Sequence, residues 1–183
     1  MATVLVPLAE GFEELEAVTI VDLLRRAGIK VITAGLVEGP VTASRGTVIV
    51  PDTTLDDALT REYDMAVLPG GLPGADHLNE DERIRSLLKK MAGSEKFTAA
   101  ICAAPKVLAT TGLLEGKRAT GYPGVLDGLD LANITLDDAP VVKDGKVITS
   151  RGPGTAMDFA LELIECLLGA EKRREVEAGL VRC

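Results

Sequence analysis

A chain of 183 residues and 19.2 kDa suits one compact domain, and its 46% hydrophobic and 26% charged residues exclude a disordered or collagen-like chain. Against 20 Lys and Arg stand 28 Asp and Glu, a net charge of −8 that gives no electrostatic drive towards phosphate backbones, so no nucleic-acid partner is expected. With three cysteines and one histidine in the whole chain, any mechanism that needs several imidazoles is excluded.

Residues 3–8, TVLVPL, are a short apolar run rich in β-branched side chains, which predicts a strand. An acidic stretch follows, and then EAVTIVDLLRRAG, whose apolar residues recur at helical spacing. Arg25 and Arg26 lie at the negative end of that helix dipole, and Gly28 supplies the left-handed stop. IKVITAGL at 29–36 is the next strand, and PVTASRGTVIVP at 40–51 predicts a hairpin attached to the main sheet. The alternation returns as a strand in YDMAVLPGG (63–71), one helix over 79–93, a strand at 97–102 and a helix in AAPKVLATTGLL. PVVKDGKVIT (140–149) predicts a hairpin around Asp144-Gly145, a pair that reaches positive φ cheaply. After it, SRGPGT opens a long apolar helix, and a charged helix ends the chain.

Strands alternating with helices imply parallel βαβ units, so the fold class is α/β: one doubly wound domain over residues 1–183, with a mostly parallel central sheet and helices on both faces. Such sheets bind ligands at the carboxyl ends of their strands. The segments Ala9-Gly11, Pro69-Gly71, Cys102-Pro105 and Ser150-Gly154 should therefore share one edge.

At that edge Cys102 ends an apolar strand and precedes a helix, with only Ala and Pro behind it. This is the layout of a nucleophile elbow, and the helix N-terminus predicts a cysteine with a depressed pKa. Gly70 and Gly71 leave room for backbone amides, which with the amide of Ala103 would form an oxyanion hole. Glu13, Glu14 and Glu16 crowd the start of the first helix, where Glu13 and Glu16 would share a face. A carboxyl turned inward towards Cys102 would be raised in pKa and, as a neutral acid, would donate to sulfur.

The other scarce residues are expected to be bystanders: Cys166 in the core, Cys183 solvated at the end of the chain, and His77 exposed on a helix. The cysteines are odd in number and widely spaced, which argues against zinc and disulfides and for a reducing compartment. The first residues have no basic stretch, and the apolar runs fall short of the roughly 18 residues of a membrane span. A soluble, cytoplasmic protein without membrane contact is the expectation.

Five collinear segments, EELEAVTIVDLLRRAGIKV, SRGTVIVPD, YDMAVLPGG, AAICAAP and TSRGPGTAMDFAL, together resemble the ThiJ/PfpI superfamily, and within it the branch of the Parkinson-associated deglycase and bacterial YajL. The resemblance implies a flavodoxin-like sandwich and a homodimer. It implies that Cys102 is the oxidisable nucleophile, that Glu16 is its protonated partner, and that Gly71 and Ala103, supported by Gly70, hold an oxyanion. Arg26 and Arg45 would lie near the pocket mouth and dimer interface, where they suit an acidic or phosphorylated ligand. Two positions depart from the pattern. Ala103 stands where the protease-like branch has histidine, which argues against peptidase activity, and Tyr122 stands where the human deglycase has histidine. Tyr122 can orient a substrate, but a phenol holds its proton at neutral pH and shuttles it poorly.

The implied function is a cofactor-independent, metal-free glyoxalase or deglycase acting on small dicarbonyls or glycated adducts. The competing class is a redox sensor or chaperone whose Cys102 is oxidised to sulfinic acid. A weaker third reading is phosphate binding at Gly152 to Thr155.

Overall fold

The structure is a computed structural model that describes residues 1–127, 129 and 133–182. Cys183, expected to be solvated, lies outside the described residues. In chain order the elements are β1 (Thr3–Leu8), α1 (Glu14–Arg26), β2 (Lys30–Gly35), β3 (Val41–Thr42), β4 (Val48–Ile49), β5 (Thr53–Thr54), α2 (Leu55–Ala58) and β6 (Met65–Leu68). There follow α3 (Gly74–Glu80), α4 (Glu82–Gly93), β7 (Phe97–Ile101), α5 (Pro105–Thr110), β8 (Arg118–Ala119), β9 (Thr135–Leu136), β10 (Val141–Asp144), β11 (Val147–Ser150), α6 (Ala156–Leu168) and α7 (Ala170–Gly179).

The central sheet has seven strands in the order β10-β11-β7-β6-β1-β2-β5, parallel throughout except for β10. β1 and β6 are apolar at nearly every position because helices cover both faces of the sheet, and a strand buried on both sides loses the alternating pattern. α1, α6 and α7 pack together, and α3 packs against α4 and α5. α1 buries Ala17, Ile20, Leu23 and Leu24, one stripe at helical spacing, and Gly28 at φ 80° ends it as expected.

Two local expectations need correction. The hairpin of β3 and β4 forms its own two-stranded sheet instead of joining the main one. It is tied instead to the loop before α1, through Gly11 N–H to Thr42 O and Ser44 N–H to Phe12 O. The single helix expected over 79–93 is two helices, because Asp81 is extended at φ −75° and ψ 113° and caps α4 by accepting from the Arg83 amide.

From β1 the chain winds outward through β2 to β5 and then returns to β6 on the other side of β1. That reversal makes the carboxyl edge between β1 and β6 a topological switch point, where the two directions of winding leave a crevice. The four strand-end segments do share this edge: a Cβ on Gly71 would lie 2.6 Å from the Gly11 oxygen, one on Gly70 would lie 2.6 Å from Cys102 Cβ, and Cys102 N–H donates to Ser150 O at 2.9 Å. Among the described residues no helix is long and apolar enough to cross a membrane.

Candidate active site

Cys102 follows β7 directly and has φ 63°, a left-handed conformation that L residues adopt only when the surroundings impose it. Its amide is held by Ser150 and its carbonyl accepts from the Tyr122 amide at 2.8 Å, so neighbouring segments clamp the elbow on both sides. The residue is 8% exposed, and the amides of Gly71 and Ala103 both reach the sulfur.

Glu16 lies in the first turn of α1 and is fully buried, alone in this among the charged side chains of the described residues. One carboxyl oxygen, Oε2, accepts from the Gly70 amide at 2.8 Å; the other, Oε1, is buried with no hydrogen-bond partner among the described residues. Glu13 and Glu14 go elsewhere. Glu13 is the extended residue before the helix, so it does not share a helical face with Glu16, and both Glu13 and Glu14 accept from Ser44 at the tip of the β3–β4 hairpin.

Gly70 lies where the three parts meet. A methyl group on it would sit 2.6 Å from Cys102 Cβ, 2.8 Å from Glu16 Oε2 and 2.9 Å from the Ile101 carbonyl oxygen. Rotating a side chain cannot relieve a clash with Cβ and backbone atoms. Gly70→Ala is therefore expected to cost about 1–3 kcal/mol in thermal or denaturant unfolding and to slow alkylation of Cys102. An unchanged melting temperature and alkylation rate would contradict this packing. Gly71, at φ 88°, is tighter still, since its added Cβ would lie 2.4 Å from the Glu13 nitrogen.

The titration of the pair departs from the expectation of a depressed cysteine. Burial pushes the Glu16 carboxyl up to about 7, opposed by the Gly70 amide and the Cys102 thiol, while the Glu13 charge pushes the same way as burial. Burial and then the Glu16 charge push the Cys102 thiol up to about 12, against the pull of the Gly71 and Ala103 amides. The helix after Cys102 has only six residues, Pro105–Thr110, too little to offset the loss of water around sulfur. Between these two values the pair holds one proton, and its single negative charge belongs to carboxylate and sulfur jointly.

The remaining candidates divide by position. Tyr122 borders the elbow, its ring half-exposed and lying over Gly152. Arg45 sits at the hairpin tip, its amide donating to Glu14 at 3.1 Å. Arg26 is not brought in: it is ten residues beyond Glu16 along α1, roughly 15 Å at the helical rise, and its guanidinium pairs with Asp22 at 2.7 Å. His77 is half-buried, with Nδ1 3.1 Å from the Glu10 carbonyl oxygen. Cys166 is also half-buried instead of lying in the core, and burial holds its thiol above the ordinary range. In the turn after β11, the Gly152 amide donates to Thr155 Oγ1 and the Thr155 amide to Gly152 O, which occupies two amides that a phosphate would need. Among the described residues no cluster of three or more His, Cys, Asp or Glu could hold a metal ion.

One feature of the site has no clear signature in sequence. Gly11, at φ 81°, lets the loop after β1 touch Pro73, whose Cδ would lie 2.4 Å from an added Cβ, and this contact holds the Gly71 loop against the start of α1.

The DJ-1/PfpI family model matches residues 2–166. Protein dj-1beta of Drosophila melanogaster is 48% identical over 178 residues, 97% of this chain and 95% of its own, and the crystal structure of that protein superimposes with a TM-score of 0.94, covering 100% and 98% of the two chains at 46% identity. The Parkinson disease protein 7 homolog of Danio rerio is 46% identical over 97% of this chain and 95% of its own. The glutathione-independent glyoxalase DJR-1.2 of Caenorhabditis elegans is 41% identical over 93% of this chain and 90% of its own. With an elbow cysteine beside the switch point of this sheet and relatives of this closeness over nearly the full length, the chain belongs to the DJ-1/PfpI family.

Proposed function

We propose that the protein is a glyoxalase-type enzyme that converts small 2-oxoaldehydes to hydroxyacids without glutathione, metal or cofactor, with glycated adducts as further substrates. The observation that carries this reading is the convergence of a strained Cys102, the Gly71 and Ala103 amides on its sulfur, and a buried Glu16 whose carboxyl titrates near neutrality. The relative named as a glutathione-independent glyoxalase supports it.

For methylglyoxal the chemistry runs as follows. Cys102 sulfur attacks the aldehyde carbon, and the C–S bond forms as the carbonyl π electrons move to oxygen. Glu16 passes the pair's proton to that oxygen and then takes the proton from the same carbon, leaving an enediolate; Glu16 returns this proton to the adjacent carbon while the hydroxyl proton moves from the first oxygen to the second, which gives a lactoyl thioester. Water cleaves the thioester to lactate and restores the thiol, so methylglyoxal plus water becomes lactate with no net redox change. The amides of Gly71 and Ala103 stabilise the oxyanion at each addition. The test is lactate formation from methylglyoxal by the protein alone, followed by NMR. No lactate above the buffer control would end this reading.

A second reading has its own support in the unpartnered Glu16 Oε1, which as a protonated oxygen would donate to a sulfinate oxygen on Cys102. Mild peroxide followed by intact-mass and peptide analysis should then add two oxygens at Cys102 and none at Cys166. A homodimer is part of the same proposal. Leu15 and Val18 of α1 and Val48 and Val50 of the hairpin segment are each about half or more exposed, an apolar face that a second copy would cover. Light scattering in solution checks it.

A further inference from the structure

The two amides that reach the Cys102 sulfur belong to different stretches of chain. Gly71 leads from β6 into α3, and Ala103 leads from β7 into α5. The pairing of β6 with β7 ends at Leu68 and Ala100, three residues before each amide, so the strand ladder alone does not fix the separation of the two donors. Beyond the ladder the two turns need another tie.

One side-chain pair supplies it. Lys106, in the first turn of α5, forms an ion pair with Asp76, in the first turn of α3. Among the described residues no other side-chain hydrogen bond or ion pair joins these two helices. Each end of the pair is also tied closely to an amide. The Gly71 carbonyl accepts from the Ala75 amide at 2.9 Å, one residue before Asp76, and Ala103 lies in the turn closed by Ala104 N–H to Ile101 O, three residues before Lys106.

Lys106 is an unusual choice for this place. Its side chain is only 19% exposed, although lysine is seldom buried. It also sets a positive charge at the start of a helix, the end that favours carboxylates. Neither property favours the fold, and a partly buried ion pair adds little stability over apolar packing.

We propose that Lys106 and Asp76 are positioning residues whose ion pair holds the Gly71 and Ala103 amides at the separation that an oxyanion requires. The proposal rests on these amides being the oxyanion donors of the proposed reaction. It assigns the pair to the transition state of carbonyl addition, not to substrate binding or to the ionisation of sulfur.

The test compares two reactions of one thiol. p-Nitrophenyl acetate acylates Cys102: sulfur attacks the ester carbon, the carbonyl π pair moves to oxygen, and it returns as the bond to p-nitrophenolate breaks, leaving a thioester. Iodoacetamide alkylates the same sulfur by displacing iodide and forms no oxyanion. Peptide mapping reads both rates at Cys102 and, as an internal reference, at Cys166. The acylation-to-alkylation ratio at Cys102 is expected to fall about tenfold in Lys106→Met and in Asp76→Asn, with alkylation little changed and the Cys166 ratio unmoved. The double variant should show the same tenfold fall, because either substitution alone already breaks the pair. A ratio that does not move would overturn the proposal. So would a parallel loss of alkylation, which reports a disturbed elbow, or single effects that multiply in the double variant. Faster acylation in Asp76→Asn would mean that the freed Lys106 charge acts on the oxyanion directly, and it too would overturn the positioning role. Methylglyoxal turnover is followed alongside, where kcat should fall in the variants with KM unchanged. Lactate from the unaltered chain with an unmoved ratio removes the positioning role alone; a moved ratio without lactate upholds it and removes the glyoxalase reaction.

Discussion

Cys102→Ala is expected to lower methylglyoxal turnover by about a thousandfold or more, to the level left by amine and buffer chemistry. The size follows from the absence of a substitute. Cys166 lies near Met1, Phe97 and Lys146 at the opposite, amino edge of the sheet, and burial holds its thiol in the protonated form. His77 has its Nδ1 engaged with the Glu10 carbonyl, and no other imidazole exists in the chain. Alanine keeps the small side chain that the elbow tolerates next to Gly70, so the variant should fold, and its circular dichroism and melting curve should show this. Initial rates of lactate formation, measured at equal folded concentration, decide the matter. A variant that turns over at the wild-type rate would remove Cys102 from the reaction and with it the proposed function.

How much of the fold could be read in advance depends on the length of each element. β1, α1 and β2 declare themselves because six or more residues keep one character, a 3.6-residue period in the helix and a mostly apolar, β-branched run in the strands. The two-residue strands β5, β8 and β9 leave no pattern, since two residues cannot show a period and their pairing depends on partners far along the chain. The break between α3 and α4 was visible in principle. Asp81 followed by Glu82 is an N-cap signal, but it lies inside a polar–apolar pattern that continues on both sides. The hairpin was recognisable from its strand residues and Ser-Arg-Gly turn, but not its place off the main sheet. That is decided by backbone hydrogen bonds from Gly11 and Ser44.

The candidate site divides in a similar way. A cysteine between an apolar strand and an Ala-Ala-Pro segment is a local pattern, and so are the glycines that end β6. The direction of the cysteine's titration is not local. It depends on how much water Glu16 and Cys102 lose when α1, β6 and β7 close around them, and on one carboxylate 86 positions away in sequence. The same reasoning explains Glu16 itself. The crowd of acids at the start of α1 marks the place, but only the extended conformation of Glu13 sends two of them to the hairpin and leaves the third to turn inward.

Glu16→Gln should make the protein more stable above neutrality while it loses activity. A carboxyl that ionises at an ordinary 4.5 when solvated and at about 7 when folded is protonated in the native state over an interval where the unfolded chain has already released the proton. Its stabilising contribution is therefore complete below about 4.5 and is lost as pH rises through 7, a change of about 3 kcal/mol by the linkage relation. Glutamine keeps an oxygen for the Gly70 amide and an uncharged donor towards sulfur, and it has no charge to bury. At pH 5 the variant and the parent should melt together, whereas at pH 8 the variant should melt roughly 5–10 °C higher, the shift that such an energy produces in a chain of this size. The same substitution removes the group that moves protons between carbon and oxygen, so methylglyoxal turnover should fall about a hundredfold. The ionisation of Cys102, relieved of its charged neighbour, should drop below 12, which the pH dependence of alkylation reads directly. Melting temperatures that track each other across pH 5–8 would show that Glu16 is not held protonated by the fold. Opposite movements of stability and activity would mean that the buried carboxyl is retained for its chemistry, at a cost to the fold that rises with pH.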